Sequence, residues 1–451
     1  MRARRAEGAV ARMSPEMIGL WMIAAMIVGI FAGFPISFTL IFLGLIFGYW
    51  GFGKLVFYLL TLQFNASMME QTLAAVPLFV FMGIMMEQAN LMERLFNAVQ
   101  LMLARVRGSL YLAVMFVATI FAAATGIVGA SVTILGIMAG KPMIRSGYDV
   151  KLSAGLIAAG GTLGILIPPS IMLVVMGPVL EVPVTTLFAA AIIPGLMLAL
   201  IFTGYAMVRC LFNPSLGPPL AIEDRAANMR ELWIEFAKGL VPPAALVTAA
   251  LGSIVFGLAT PTEGAACGAF GAIVLTAAYG RLTWRNFQDA LVKTLQISVL
   301  ILFLVAASNF FGAVFAKLGT PTMMTEALLG LDIPPMVMLL LIMALIFVLG
   351  WPLEWVPIVL IVVPFLLPLI DKMGIDKTWF GILVAVNLQT AWLSPPVALS
   401  AYFLKGVVPQ WDLGDIYAGM MQFMALQLTG LALIMVFPQI ALWLPEVIYG
   451  K

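Results

Sequence analysis

Gly160-Gly161-Thr162-Leu163-Gly164-Ile165-Leu166-Ile167-Pro168-Pro169-Ser170 lies inside an apolar run from about Leu152 to Leu180. A membrane-spanning helix keeps its backbone groups hydrogen-bonded within itself, and this stretch cannot. Pro168 and Pro169 bring no N–H to the ladder. The residue before each proline is pushed out of the helical region, so carbonyls one turn back lose their partners. Hydrocarbon tolerates such groups only where they are buried in protein or line a water-filled cavity. A kinked packing helix would explain one such break. A second, Gln389-Thr390-Ala391-Trp392-Leu393-Ser394-Pro395-Pro396, comes late in the chain. Paired interruptions at corresponding places point to a transporter's binding site.

The composition agrees. The chain of 451 residues is 63% hydrophobic and 10% charged, with a mean hydropathy of +1.11. Apolar runs of roughly 18 or more residues recur throughout, as expected of an all-α polytopic membrane protein. The net charge of +2 and the lack of a basic cluster give no sign of a nucleic-acid partner. With no histidine, Ser-His triads, His acid–base chemistry and His-ligated metals are excluded. Cys210 and Cys267 carry no motif and read as small hydrophobes. The Arg-rich start precedes a full-length apolar segment without a small-residue cleavage site, so no cleaved signal is expected.

Taken in order, Met17–Gly33, Ile36–Trp50 and Val76–Met86 read as spans. Phe57–Gln71 reads as an interfacial or connecting helix, and Leu91–Val106 as a helix near the surface. Leu110–Gly140 is too long for one span and short for two. The small, polar patch Ala124–Thr133 interrupts it, either as a turn between two spans or as the tip of a re-entrant hairpin. The broken helix and a clean span, Leu187–Val208, follow. Residues 211–238 form a polar linker. The pattern then restarts: spans Val241–Leu258 and Cys267–Tyr279, an amphipathic Trp284–Leu291, a span Thr294–Val314 and a surface helix Thr320–Leu329. Next come an overlong run Met336–Leu369 interrupted at Gly350–Pro357, the broken Trp379–Leu404, and a last span Met421–Leu444. Gly126 precedes Pro168 by 42 residues, and Leu353 precedes Pro395 by the same 42.

The expected domains are therefore a first repeat, 1–210 (hairpin about 110–140, broken helix about 152–180), a cytoplasmic linker, 211–238, and a second repeat, 239–451 (hairpin about 336–369, broken helix about 379–404). If the overlong runs are re-entrant hairpins, each half crosses the membrane an odd number of times and the repeats are inverted. With the N-terminus outside, the loops bearing Arg105, Arg107, Lys141, Arg145, Lys151 and Arg209 fall in the cytoplasm, following the positive-inside rule. The basic N-terminal tail opposes that orientation.

Acidic residues within apolar spans are functional candidates. Glu87, Glu181 and Glu263 fit interfacial or helix-starting roles. Glu354 sits in a Gly/Pro-interrupted stretch and reads as a site residue. The breaks supply what a sodium ion, a hard cation, prefers: oxygen ligands. Unwound backbone at Gly126, Gly161, Gly164, Pro168 and Pro395 offers carbonyls. Thr125, Ser131, Thr162, Ser170, Thr390 and Ser394 add hydroxyls, and Glu354 a carboxylate. For any one hydroxyl, a bond back to its own helix is the competing role. Helix N-termini at the breaks would face an anionic substrate, with Gly129, Thr133, Pro169, Pro352 and Pro396 as substrate-facing candidates.

Ala123-Ala124-Thr125-Gly126, Arg145-Ser146-Gly147-Tyr148-Asp149 and the Ala158–Ser170 stretch resemble the large permease subunit of tripartite ATP-independent periplasmic (TRAP) transporters. Val76-Pro77-Leu78-Phe79, Ile193-Pro194-Gly195 and Thr260-Pro261-Thr262-Glu263 support this, over nearly the whole chain. The resemblance implies sodium-coupled import of an organic acid across the bacterial inner membrane. It also implies a periplasmic substrate-binding protein, a small four-helix membrane subunit, and an elevator built of scaffold and transport domain. It places hairpin tips at Thr125–Thr133 and Pro352–Glu354, and unwound helices at Gly160–Ser170 and Thr390–Pro396. Where many members carry Ser, an acidic residue and Asp, this chain has Ile127, Ser131 and Glu354. A stand-alone ion-coupled carboxylate carrier is the alternative. A membrane-embedded enzyme is the remote alternative; it would need paired aspartates or a Ser-Lys or Ser-His pair at membrane depth, and there is no histidine and no acidic pair within one core.

Overall fold

The computed structural model describes residues 14–126, 128–219, 229–331, 333–395 and 397–450, excepting the side chains of 123–125, 229 and 231. Among these residues there are helices and no strands. In chain order they are α1 (Pro15–Phe31), α2 (Ile36–Phe52), α3 (Leu55–Met69), α4 (Ala75–Gln88), α5 (Leu91–Met102), α6 (Ser109–Thr125), α7 (Val128–Arg145), α8 (Val150–Thr162), α9 (Ile171–Leu180) and α10 (Val184–Phe212). After the linker come α11 (Met229–Val255), α12 (Pro261–Ala278), α13 (Trp284–Lys317), α14 (Thr320–Leu329), α15 (Pro335–Leu349), the single turn α16 (Trp355–Pro357), α17 (Val363–Lys372), α18 (Lys377–Gln389), α19 (Leu399–Val407), α20 (Leu413–Val436) and α21 (Gln439–Tyr449). Among the described residues, six helices are long and apolar enough to cross a membrane.

Two sequence expectations change. Trp284–Leu291 and Thr294–Val314 form one helix of 34 residues, α13. No glycine or proline separates them, so nothing stops the ladder. The last span, Met421–Leu444, is two helices, α20 and α21, parted at Phe437-Pro438 because Pro438 has no N–H to give. α10 reaches Phe212 and α11 runs from Met229.

A constant offset of 227 residues links the halves. Asp149 caps α8 by accepting from Leu152 N at 2.7 Å, and Asp376 caps α18 by accepting from Trp379 N at 2.8 Å. Both helices have 13 residues and run into one 3-10 turn, Leu163–Ile165 or Thr390–Trp392. Tyr148 N donates to Met143 O at 2.9 Å and Ile375 N to Ile370 O at 3.1 Å; Leu166 N and Leu393 N donate to Leu163 O and Thr390 O, both at 3.0 Å. Gly147 (φ 71°) and Gly374 (φ 67°) make the preceding turns. The same offset carries α3 and α4 together onto α13, so one half breaks at Glu70 what the other keeps continuous.

Equivalent helices α10 and α20 lie antiparallel: Arg209 Nη1 meets Gln422 Oε1 at 3.2 Å, while Leu198 packs at Gly430. Non-equivalent partners pack across the halves, α8 on α20 and α7 on α19. At the α8–α20 crossing a Cβ on Gly155 would lie 2.5 Å from Gly419 O. Such close backbone approach through small residues holds helices together where both lipid and core are apolar. At one end of the bundle Lys151 Nζ lies 3.6 Å from Asp415 Oδ1. At the other, Lys377 Nζ reaches Glu181 Oε2 (3.2 Å) and Asp371 Oδ2 (3.5 Å).

Candidate functional site

Each overlong run is a pair of helices with a turn, and each turn packs against a broken helix. In the first, Gly126 (φ 58°) turns the chain between α6 and α7. A Cβ on it would lie 3.3 Å from Ile171 Cδ1, so the turn abuts the first residue of α9. Gly161 meets α7 itself: a Cβ there would stand 2.3 Å from Val132 Cγ2 and 3.1 Å from Val132 N. Every residue from Gly161 to Ser170 is buried, and Ser131 on α7 is buried beside them. The structure thus gathers Gly126, Ser131, Gly161, Thr162, Gly164, Pro168, Pro169 and Ser170 around one joint. Gly129 faces the Phe403 ring of α19, tying the first hairpin to the second broken helix as well.

Local chemistry explains the unwinding. Pro168 and Pro169, joined by a cis peptide bond, have no N–H for the carbonyls of Gly164 and Ile165. Ser170 Oγ replaces one donor, reaching Ile165 O at 2.5 Å, and accepts from Leu173 N at 3.5 Å to cap α9.

In the second half the joint is looser. Gly350 lies against Ala391, where an added Cβ would be 3.2 Å from Ala391 Cβ, so the hairpin turn meets the 3-10 turn at Thr390. Thr390 and Ser394 are buried, while Pro395 and Pro352 are half-buried. Glu354 is the N-cap of α16 but makes no side-chain cap bond, and it is exposed. Its carboxylate is not joined to Thr390 or Ser394. The side chain of Thr125, and Pro396 altogether, lie outside the described residues.

The hydroxyls share one arrangement. Thr133 Oγ1 donates to Gly129 O (2.7 Å), Thr162 Oγ1 to Ala159 O (2.8 Å), Thr390 Oγ1 to Asn387 O (2.6 Å) and Ser394 Oγ to Thr390 O (2.7 Å). Each proton goes to a carbonyl three or four residues earlier in the chain, the bond back that competes with ligation. A hydroxyl oxygen keeps two lone pairs when its proton is so used, so the arrangement satisfies the helix and still presents acceptors.

Glu263 has its helix-starting role. Its carboxylate accepts from Thr260 N at 2.8 Å while Thr260 Oγ1 accepts from Glu263 N at 3.2 Å, a capping box. Three buried amides were not among the candidates. Gln427 Nε2 donates to Gln389 Oε1 (2.7 Å) and Val386 O (3.0 Å), and Asn387 Nδ2 donates to Met343 O (2.7 Å). Asn387 Oδ1, Gln389 Nε2 and Gln427 Oε1 have no partner. The signal was available: each is an amide inside an apolar run, which is expensive in hydrocarbon.

Paired hairpins and paired broken helices in a helical bundle define a membrane transporter, and solved structures share the architecture. Similar folds are the Alcanivorax borkumensis YdaH transporter (TM-score 0.62, 16% identity, covering 93% of this chain and 97% of that one) and Neisseria gonorrhoeae MtrF (TM-score 0.55, 12% identity, 94% and 95%). The family model described as "Tripartite ATP-independent periplasmic transporter, DctM component" matches residues 23–440, and the chain belongs to that family. Among its relatives, the sialic acid TRAP transporter large permease protein SiaM of Vibrio cholerae is 32% identical over 438 residues, covering 93% of this chain and 97% of that protein. The 2,3-diketo-L-gulonate TRAP transporter large permease protein YiaN of Escherichia coli is 28% identical over 404 residues, 87% and 90%. The protein is thus a multi-pass inner-membrane permease serving substrate import with a binding protein.

Proposed function

We propose that this permease imports an organic acid by sodium symport, with an elevator motion of a transport domain against a scaffold. A periplasmic substrate-binding protein delivers the acid and a small four-helix membrane subunit completes the scaffold. The single observation that carries the reading is the buried joint of Gly126, Gly161 and Ser170, where unwound backbone and back-bonded hydroxyls present oxygen to a hard cation. The relatives' substrates, sialic acid and 2,3-diketo-L-gulonate, are both organic acids.

The repeats, 1–210 and 239–451, are inverted in this reading, with each hairpin re-entrant. The antiparallel pairing of α10 with α20 supports it. So does charge: the end bearing the first hairpin's base carries Arg105, Arg107, Lys141, Arg145, Lys151 and Arg209, and the other end Lys372 and Lys377. The positive-inside rule puts the first end in the cytoplasm. Anionic substrate would sit near Gly129, Thr133, Pro169, Pro352 and Pro396, facing the N-termini of α9 and α19.

Proteoliposomes holding the permease, its small subunit and the loaded binding protein test the function. Replacing external sodium with choline should abolish uptake, and unchanged uptake would reject sodium coupling. Glu354 should act on the ion, so Glu354→Gln should raise the sodium concentration for half-maximal uptake. An unaltered value removes Glu354 from the site.

A further inference from the structure

A cleft with one polar wall lies between α3 and α13 on one side and α9 and the second hairpin on the other. It comprises two adjoining cavities of about 360 and 450 Å³ that share Gln63, Asn309, Leu360 and Pro364. Each is within the usual size range for small-molecule sites. One wall is apolar, formed by Val175 and Pro178 of α9 with Leu360 and Pro364. The chain there is a π-helical turn, Ile358–Val362, a feature found often at functional sites.

The other wall is a polar stripe. Gln63, Ser67 and Glu70 recur at spacings of four and three, hence on one face of α3 and its C-cap. Asn309 of α13 joins them, with Nδ2 donating to Ser67 Oγ at 2.9 Å. Ser67 Oγ in turn donates to Gln63 O at 2.9 Å, and Glu70 Oε1 accepts from Thr72 N at 3.2 Å. Four polar side chains gathered on a helix pair that otherwise suits lipid call for a functional reason.

The chemistry of the stripe narrows the occupant. Among the described residues, neither cavity is lined by Lys or Arg, and Glu70 supplies a negative charge. A substrate carboxylate is therefore repelled from this cleft. Two amides, a hydroxyl and a carboxylate are instead the donors and acceptors that pair with vicinal hydroxyls. Phe315 and Phe365, 6.0 Å apart in the second cavity, give apolar faces for the C–H side of a sugar-like chain.

We propose that Gln63, Ser67, Glu70 and Asn309 form a recognition surface for the hydroxyl groups of a polyhydroxylated acid, whose carboxylate is held elsewhere. This rests on the import reading above and names the substrate class within it.

The test is protection from labelling at Ser67→Cys. Cys210 is buried and Cys267 exposed, so the permease carries Cys267→Ala. Labelling by a membrane-impermeant maleimide is followed with gluconate or with succinate, which has no hydroxyl groups. At roughly ten times its dissociation constant, gluconate should slow labelling about tenfold, and succinate should leave it unchanged. Adding Gln63→Leu should remove the protection. Equal protection by both acids, or none by gluconate, overturns the proposal, as does protection that survives Gln63→Leu. Sodium coupling is judged separately by the choline experiment, so the cleft assignment can fail while the transport reading stands, and the reverse.

Discussion

Replacing Gly161 with alanine tests the contact on which the first joint depends. The added Cβ would stand 2.3 Å from Val132 Cγ2, over 1 Å inside ordinary contact, and 3.1 Å from Val132 N. Valine's methyl has little freedom to withdraw, because β-branched side chains are stiff at χ1, and the backbone nitrogen behind it belongs to α7. Overpacking of this kind costs about 1–3 kcal/mol. Alanine regains about 0.8–1 kcal/mol of helix propensity, so the net loss should be up to about 2 kcal/mol. Gly204→Ala is the matched control. It lies within α10 with nothing inside 4 Å of its Cβ position, so it should be neutral or stabilising by up to about 1 kcal/mol. Thermal unfolding of both variants in detergent gives the stability readout, and the sodium concentration for half-maximal uptake gives the functional one. Gly161→Ala should lower the melting temperature and weaken sodium, while Gly204→Ala should do neither. If Gly161→Ala matches the wild type in both readouts, hairpin and unwound helix are not in intimate contact and the joint is misread.

Four other substitutions probe the surrounding structure. Ser170→Ala removes the cap of α9 and the donor to Ile165 O, and should cost about 1–2 kcal/mol by thermal unfolding. Asp149→Ala and Asp376→Ala should each cost about 1 kcal/mol, because they cap equivalent helices with nearly the same geometry. A loss confined to one of them would refute their equivalence. Gln427→Leu strips Gln389 Oε1 and Val386 O of their donor at full burial and should destabilise by about 1–3 kcal/mol, whereas an unchanged melting temperature would mean the amide bonds contribute nothing.

The architecture was legible because hydrocarbon makes backbone interruptions costly. Gly160–Ser170 and Gln389–Pro396 could be found by their prolines alone, and the equal 42-residue spacing exposed the duplication. Glu263 read as interfacial or helix-starting, and its capping box with Thr260 selects the helix start. Side-chain direction was less legible. That Glu354 stands exposed at the N-terminus of one short turn could not be read from the sequence. Whether a proline-free junction bends also escaped the sequence: α13 runs straight through the position where its counterpart breaks at Glu70. The Gln427–Gln389 bond joins residues 38 apart on different helices, and only packing brings them together. The stripe of Gln63, Ser67 and Glu70 became meaningful once Asn309, 242 residues from Ser67, was seen to bond to it.

In the proposed mechanism organic acid and sodium cross together. The direct measurement is entry of radioactive sodium into proteoliposomes that hold the permease and its small subunit, followed alongside labelled substrate. Symport requires sodium entry that begins only when loaded binding protein is added and that rises in proportion to substrate entry. Substrate entry without accompanying sodium would contradict it.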